Sequence, residues 1–182
     1  MLERLMELLP VNKYVCTGHG IFVDRKIVLV SLVLAFSYNH VASASLFDDA
    51  QAAAQSGRYN DVISILTGAI ESGELLSDEL VVAYSNRGIS YSLLKAHAMA
   101  EADLMKAVEI NSQHELALNH LGILAEHVHK DYETARLWYG RAADLGFPGS
   151  EVNLANLYLL GRGGAVDFTG ALKLYELAAA EE

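Results

Sequence analysis

The sequence predicts an all-α fold, a right-handed solenoid of helical hairpins with about four hairpins and eight helices. Small residues seven apart recur as Val62 and Ala69, Ala100 and Ala107, Ala135 and Ala142, and Ala171 and Ala178. The second members follow one another at 38, 35 and 36 residues, a period that belongs to stacked hairpins rather than to one globular core. Composition agrees: 52% of residues are hydrophobic and only two are proline, which favours helix and opposes disorder.

Residues 1–44 read as a leader. Arg25 and Lys26 precede ten almost wholly apolar residues, 27–36, followed by a polar patch and then Val41-Ala42-Ser43-Ala44. Basic pair, apolar run and small-x-small is the order of a secretory signal, with cleavage after Ala44. Residues 1–24 make an unusually long approach to that run, and a true start later than Met1 accounts for them. The alternative is an uncleaved anchor, because the 21 residues 27–47 carry no formal charge and are long enough to span a bilayer. Cleavage makes the repeats periplasmic or secreted, and retention tethers them to the inner membrane of a bacterial cell. The lone cysteine, Cys16, lies upstream of the apolar run, so it closes no internal disulfide and no zinc site of the Cys-x-x-Cys type.

Residues 45–182 form the repeat domain, with approximate units 46–76, 77–112, 113–147 and 148–182. The leader holds four Lys/Arg and three Asp/Glu, leaving 9 basic and 20 acidic side chains here, a net −11. In the second unit, Val81, Tyr84, Gly88, Tyr91 and Leu94 follow helical spacing and predict a first helix over about 78–94. Ser77 is its expected cap, and Leu80 as N3 leaves no acidic capping-box partner. The second helix is expected over about 98–110, with Ala100, Leu104, Ala107 and Val108 inward and Glu101, Lys106 and Glu109 toward water.

The seven-residue spacing puts both small side chains on one helix face, where a neighbouring helix can come close. Leu66, Leu104, Tyr139 and Tyr175 stand between the pairs as the interdigitating residues. Tyr59, His97, Tyr132 and Phe168 sit three before the pairs, and the aromatic ones, Tyr59, Tyr132 and Phe168, open the second helices. Gly57 and the Lys130-Asp131 step fall in the turns, and 73–77 is an extra segment at the first join. The first helices share a small crossing residue, Ala50, Gly88, Gly122 or Ala155. Glycine inside a helix costs about 1 kcal/mol against alanine, and close helix contact is the usual reason to accept it.

These residues carry a resemblance. The run Tyr84-x2-Arg87-Gly88-x2-Tyr91, with Ala100 and Ala107, is similar to a tetratricopeptide repeat. Ala50, Gly57, Tyr59 and Ala69 form a fainter copy. The third and fourth units resemble the related Sel1-like repeat, through Leu121-Gly122, Asp131-Tyr132, Ala135, Trp138-Tyr139, Ala142-Ala143 and Gly146. The pattern returns as Leu154-Ala155, Tyr158, Gly161, Gly163, Asp167-Phe168, Ala171, Tyr175 and Ala178-Ala179. Arg87 departs from the usual apolar residue, Ser112 from a typical proline, and 161–165 makes a longer loop. No polar capping helix follows the last unit, so stacking through that end is the alternative function.

The resemblance implies that the first helices line a concave groove. Its positions are Phe47, Asp48 and Gln51 in the first unit and Ser85, Asn86, Ile89 and Ser92 in the second. They continue as Asn119, His120, Ile123, Glu126 and His127, then Val152, Asn153 and Asn156. The candidate partner-binding set is Ser85, Asn86, Asn119, His120, Glu126, His127, Asn153 and Asn156. Asparagine offers both a donor and an acceptor and can hold an extended peptide backbone. The Lys/Arg clamp of relatives that bind C-terminal carboxylates is missing, and a neutral or basic segment suits the acidic surface.

Other chemistries find little support. Nucleic acid needs a Lys/Arg stripe, which is absent. Gly161-Arg162-Gly163-Gly164 lacks the strand and the Lys-Ser/Thr of a phosphate loop and reads as a turn. His114, His120, His127 and His129 cluster in sequence, but His120 and His127 lack the i,i+4 spacing of a metal pair; they make the surface pH-sensitive near pH 6 instead. Glu101 and Asp103 fall on different faces and read as solvated. The expected function is a non-enzymatic interaction module with no cofactor, no metal and no catalytic residues. Its partner is an unknown protein or extended peptide, with a homo-oligomer possible and membrane contact only if the signal stays uncleaved.

Overall fold

The structure is a computed structural model that describes residues 14–16, 22–24 and 45–180. It divides into two compact units, Met1–Ser45 and Leu46–Glu182. The first contains β1 (Tyr14–Cys16) and β2 (Phe22–Asp24), paired antiparallel with Val15 opposite Val23. This small ladder was not expected from the sequence. The apolar run 27–36 and the cleavage position after Ala44 lie outside the described residues. No helix among the described residues is long and apolar enough to cross a membrane.

The repeat region is an α solenoid of eight helices. They are α1 (45–55), α2 (Tyr59–Ser72), α3 (Ser77–Leu93), α4 (His97–Ile110), α5 (Glu115–Ile123), α6 (Tyr132–Ala143), α7 (Pro148–Leu159) and α8 (Phe168–Ala180). Helix α5 runs on into a π-helical turn, Leu124–His129. From α2 onward each helix packs chiefly on its predecessor and successor, which is the quasi-one-dimensional contact pattern of repeat stacks.

All eight small residues of the seven-residue pairs are buried. Between them, Leu66, Leu104 and Tyr139 are fully enclosed, and burying a side chain of that size stabilises by about 1.5–3 kcal/mol. Tyr175 is half-buried and donates its hydroxyl to Asn156 Oδ1 at 2.7 Å. Three second helices start at their expected openers, Tyr59, Tyr132 and Phe168, and α4 starts at His97, one residue before the expected 98. The turns before α2, α4 and α6 close through left-handed residues, Gly57 at φ 70°, Lys95 at 61° and Lys130 at 58°.

The crossing residues are buried at all four places. A methyl at Gly88 would stand 3.0 Å from Leu104 Cγ and 3.1 Å from the Ala100 carbonyl oxygen. At Gly122 it would stand 2.5 Å from the Tyr139 ring. The helix cost of each glycine is therefore offset by contact that alanine cannot make.

Two sequence expectations are corrected. Helix α3 begins at Ser77, one residue early, so N3 is Glu79 rather than Leu80. The Glu79 carboxylate accepts from the Leu76 amide at 2.9 Å, the acidic half of a capping box. Asp103 is not solvated: it is 7% exposed and takes a bidentate pair from Arg87, at 2.7 and 2.8 Å. Arg87 also donates to Thr67 Oγ1 at 3.0 Å and lies against the rings of Tyr84 and Tyr91. The hydrogen bond to Asp103 raises the Arg87 pKa despite burial. The atypical arginine thus ties α2, α3 and α4 together, and its charge hides Asp103 from a reading that considered one helix at a time.

At the junction of the third hairpin with the fourth, Arg136 of α6 donates to the carbonyls of Arg162, Leu157 and Ala165, at 2.6, 3.0 and 3.1 Å. The guanidinium holds the glycine-rich loop 161–165 as a turn. Gly163, at φ 74°, sits against the Tyr132 carbonyl with no room for a Cβ.

Gly122→Ala should lower stability by about 1–3 kcal/mol through overpacking against Tyr139. Gly68→Ala, within α2 and with nothing near its missing Cβ, should raise stability by about 0.5–1 kcal/mol. Thermal denaturation of the two variants compares them directly. Shifts in the same direction contradict the packing role of Gly122.

Candidate functional site

The first-helix face was the expected groove, and the packing sorts its residues into two groups. The position three before the crossing residue is turned toward the next hairpin. Ser85 there is 1% exposed and Asn119 7%. Asn119 Oδ1 accepts from Ser150 Oγ at 2.8 Å and from Asn153 Nδ2 at 3.3 Å. Its acceptor is committed to the junction between α5 and α7, so Ser85 and Asn119 leave the candidate partner-binding set.

Glu126 leaves it as well. The π-helical turn breaks the α-helical register in which it pointed to the groove, and its carboxylate is buried. It accepts from the Tyr139 hydroxyl at 3.1 Å, with Arg162 Nη1 at 3.6 Å and His127 Nε2 at 3.7 Å. Burial, reinforced by the Glu126 charge and hydrogen bond, drives the Tyr139 pKa well above the ordinary tyrosine value. Tyr139 is thus held as a neutral donor.

Asn86, His120, His127, Asn153 and Asn156 remain at least partly accessible. Asn153 and Asn156 already share hydrogen bonds, with Asn119 and Tyr175. The side-chain amides of Asn86 and Gln51 make no hydrogen bond to another described residue.

Asn86 opens onto a cleft of about 330 Å³ between α1 and α3. Phe47, Ala50, Gln51 and Ala54 form one wall, and Val82, Asn86, Ile89 and Leu93 the other. Tyr59 and Val62 of α2 close the floor. Phe47, Gln51, Asn86 and Ile89 all belong to the expected groove positions. Val82 and Leu93, six before and five after Gly88, lie on the same face, and Val82, Asn86, Ile89 and Leu93 form one stripe at i, i+4, i+7 and i+11.

The histidines do not act as one cluster. His127 and His129 are exposed, and His129 Nε2 faces Glu101 of the preceding hairpin at 3.4 Å. His120 and His114 are held below the ordinary histidine pKa by burial, with Glu115 partly opposing this for His114. The Nε2 of His114 is buried without a hydrogen-bond partner.

Residues 110–147 and 148–182 each match the sequence model of the Sel1 repeat. Among solved structures, the chain is similar to the crystal structure of MamA, at 20% identity and a TM-score of 0.60, with 83% of each chain covered. It is also similar to the crystal structure of a Sel1 repeat protein from Oxalobacter formigenes, at 23% identity and a TM-score of 0.60. That alignment covers 76% of this chain and 58% of the other. No curated protein matches the sequence. Residues 110–182 thus carry two Sel1 repeats, and the repeat region has the fold of a helical-repeat solenoid. Its repeats and fold fit a protein-interaction module.

The two depressed histidines set a pH dependence. A histidine pKa lowered by folding means that the unfolded chain binds more protons below about pH 6.5, so stability rises with pH in that window. Full stability holds above the unfolded value and is lost as the pH falls toward the folded ones. Urea midpoints at pH 7.5 and 5 should therefore differ more for the wild type than for His114→Gln/His120→Gln. Equal pH differences in both would discount the burial of these rings.

Proposed function

We propose that this protein is a non-enzymatic module of the bacterial envelope that holds an extended peptide segment along its first-helix groove. The observation that carries the reading is the α1–α3 cleft, where an uncommitted Asn86 amide sits among Phe47, Val82, Ile89 and Leu93. Its apolar walls suit one buried apolar side chain of a ligand. Asn86 and Gln51 offer donors and acceptors for the flanking peptide units. His127, exposed further along the first-helix face, and Asn153 extend the polar surface beyond the cleft. The net −11 of residues 45–182 favours a neutral or basic segment over an acidic one.

The periplasmic or secreted location rests on the order of basic, apolar and small residues through 25–44. Catalysis has no part in this reading, because the accessible groups are amides, imidazoles and apolar side chains with no activated nucleophile among them.

The groove is tested with peptides selected from a random-sequence display library against the wild-type chain. Asn86→Ala with Ile89→Ser should weaken them by about tenfold or more, by analogy with truncated interface anchors, while far-UV circular dichroism stays unchanged. Undiminished binding by that variant ends the proposal. Export is tested by N-terminal sequencing of the protein from cells, which should begin at Ser45. A soluble cytoplasmic form starting at Met1 contradicts it.

A further inference from the structure

We infer that a second cavity, between the second and third hairpins, takes an arginine side chain of a protein partner. It holds about 230 Å³ and shares no lining residue with the α1–α3 cleft. It lies at an inner junction, with packed hairpins on both sides. Helix α4 supplies Glu101 and Met105, α5 supplies Leu121, and α6 supplies Thr134 and Trp138. The π-helical turn adds Leu124, Ala125 and His129, and Asp131 follows it. Such turns are rare and are frequent at functional sites. This one closes through Lys130 at φ 58°, with the Asp131 amide donating to the Ala125 carbonyl at 2.9 Å.

The lining divides by chemistry. Leu121 and Leu124 are buried and, with Met105 and the half-buried Trp138, make the interior apolar. Glu101, His129 and Asp131 are exposed and form the mouth. His129 Nε2 lies 3.4 Å from Glu101 Oε2. Thr134 donates to the two Asp131 carboxylate oxygens, through its hydroxyl at 2.7 Å and its amide at 3.1 Å. These hydrogen bonds hold the Asp131 carboxyl below the ordinary aspartate pKa, so it stays ionised.

Two carboxylates at the mouth of an apolar cavity select the occupant. Drug-sized ligands occupy roughly 300–1,000 Å³, so this space suits one side chain. A neutral apolar side chain would cover the carboxylates without pairing them, at a desolvation cost, and an acidic one would be repelled. A basic side chain buries its apolar stem and leaves its charged head at the polar edge. Arginine fits better than lysine, because its guanidinium is planar, less strongly hydrated and rich in donors. Those donors can serve Glu101 and the Asp131 lone pairs that Thr134 leaves open. Among the lining residues only His129 can carry positive charge. Arg141, over the Trp138 ring at 4.9 Å, does not line the cavity and donates to the Ser112 carbonyl. The chain's net charge of −10 draws in a basic segment.

Trp138 is the single tryptophan of the chain, so its indole N–H gives one NMR resonance that reports on the cavity. The probe is the acetylated, amidated tripeptide glycine–arginine–glycine, added to the full chain at about pH 8, above the range in which histidine is charged. The resonance should shift saturably, with a dissociation constant on the order of 1 mM for so small a ligand. The citrulline tripeptide, matched in shape but uncharged, should bind at least about tenfold more weakly. Glu101→Gln should weaken binding of the arginine tripeptide at least about fivefold, with circular dichroism unchanged because the side chain is exposed. Glu109→Gln removes the same charge from α4 outside the cavity and should leave binding within about twofold. No saturable shift, equal binding of the citrulline tripeptide, or full binding by Glu101→Gln overturns the inference. The groove variant Asn86→Ala/Ile89→Ser should still bind the arginine tripeptide, so failure of the groove and failure of this cavity are separate outcomes.

Discussion

The two helices of a hairpin approach so closely that one methyl group decides whether they fit. Gly88 meets Leu104 and the Ala100 carbonyl, and Gly122 meets the face of Tyr139. The small pairs on the second helices make the same approach possible from the other side, and all eight are buried. Once that contact is fixed, each first helix has one face toward its partner, one toward the next hairpin and one left open. The open face of α3 is the stripe through Val82, Asn86, Ile89 and Leu93. The cleft therefore follows from the crossing residues, although none of its polar groups takes part in the crossing.

The core is apolar, but the junctions between hairpins are specified by polar groups. Arg87 joins Thr67 to Asp103 across the first join, with both ionic side chains largely withdrawn from water. The second join has Arg141 donating to the Ser112 carbonyl and His129 facing Glu101. The third has the Asn119–Ser150–Asn153 set and the Arg136 clamp. A buried ion pair adds little net stability, because desolvation offsets its attraction, but removing one partner strands the other charge. Such groups therefore fix which hairpin stacks on which and in what register.

Most of the fold was legible because it depends on spacing. Small side chains seven residues apart, with an aromatic or histidine three before them, placed every second helix to within one residue of its start. The site was legible only in part. Asn86 and Gln51 were found by repeat position and remain uncommitted in the structure. Ser85 and Asn119 occupy positions that look open on one helix but are covered by the next hairpin. Glu126 was misplaced because a π-helical turn changes the register within a run that is helical throughout, and no residue in Leu124–His129 announces it. Asp103 was read as solvated because its partner lies 16 residues away on another helix.

The sequence by itself determined the class of architecture, the phase of each hairpin and the acidic character of the surface. Those properties depend on periodicity and composition, which a single chain displays in order. The tertiary structure decided which polar side chains are spent on holding hairpins together and which remain free for a partner. That division depends on hydrogen-bond partners drawn from different helices, and burial by a neighbour cannot be read from one helix alone. The groove was therefore foreseeable, whereas the committed asparagine at 119 and the free one at 86 were told apart only by what packs against them.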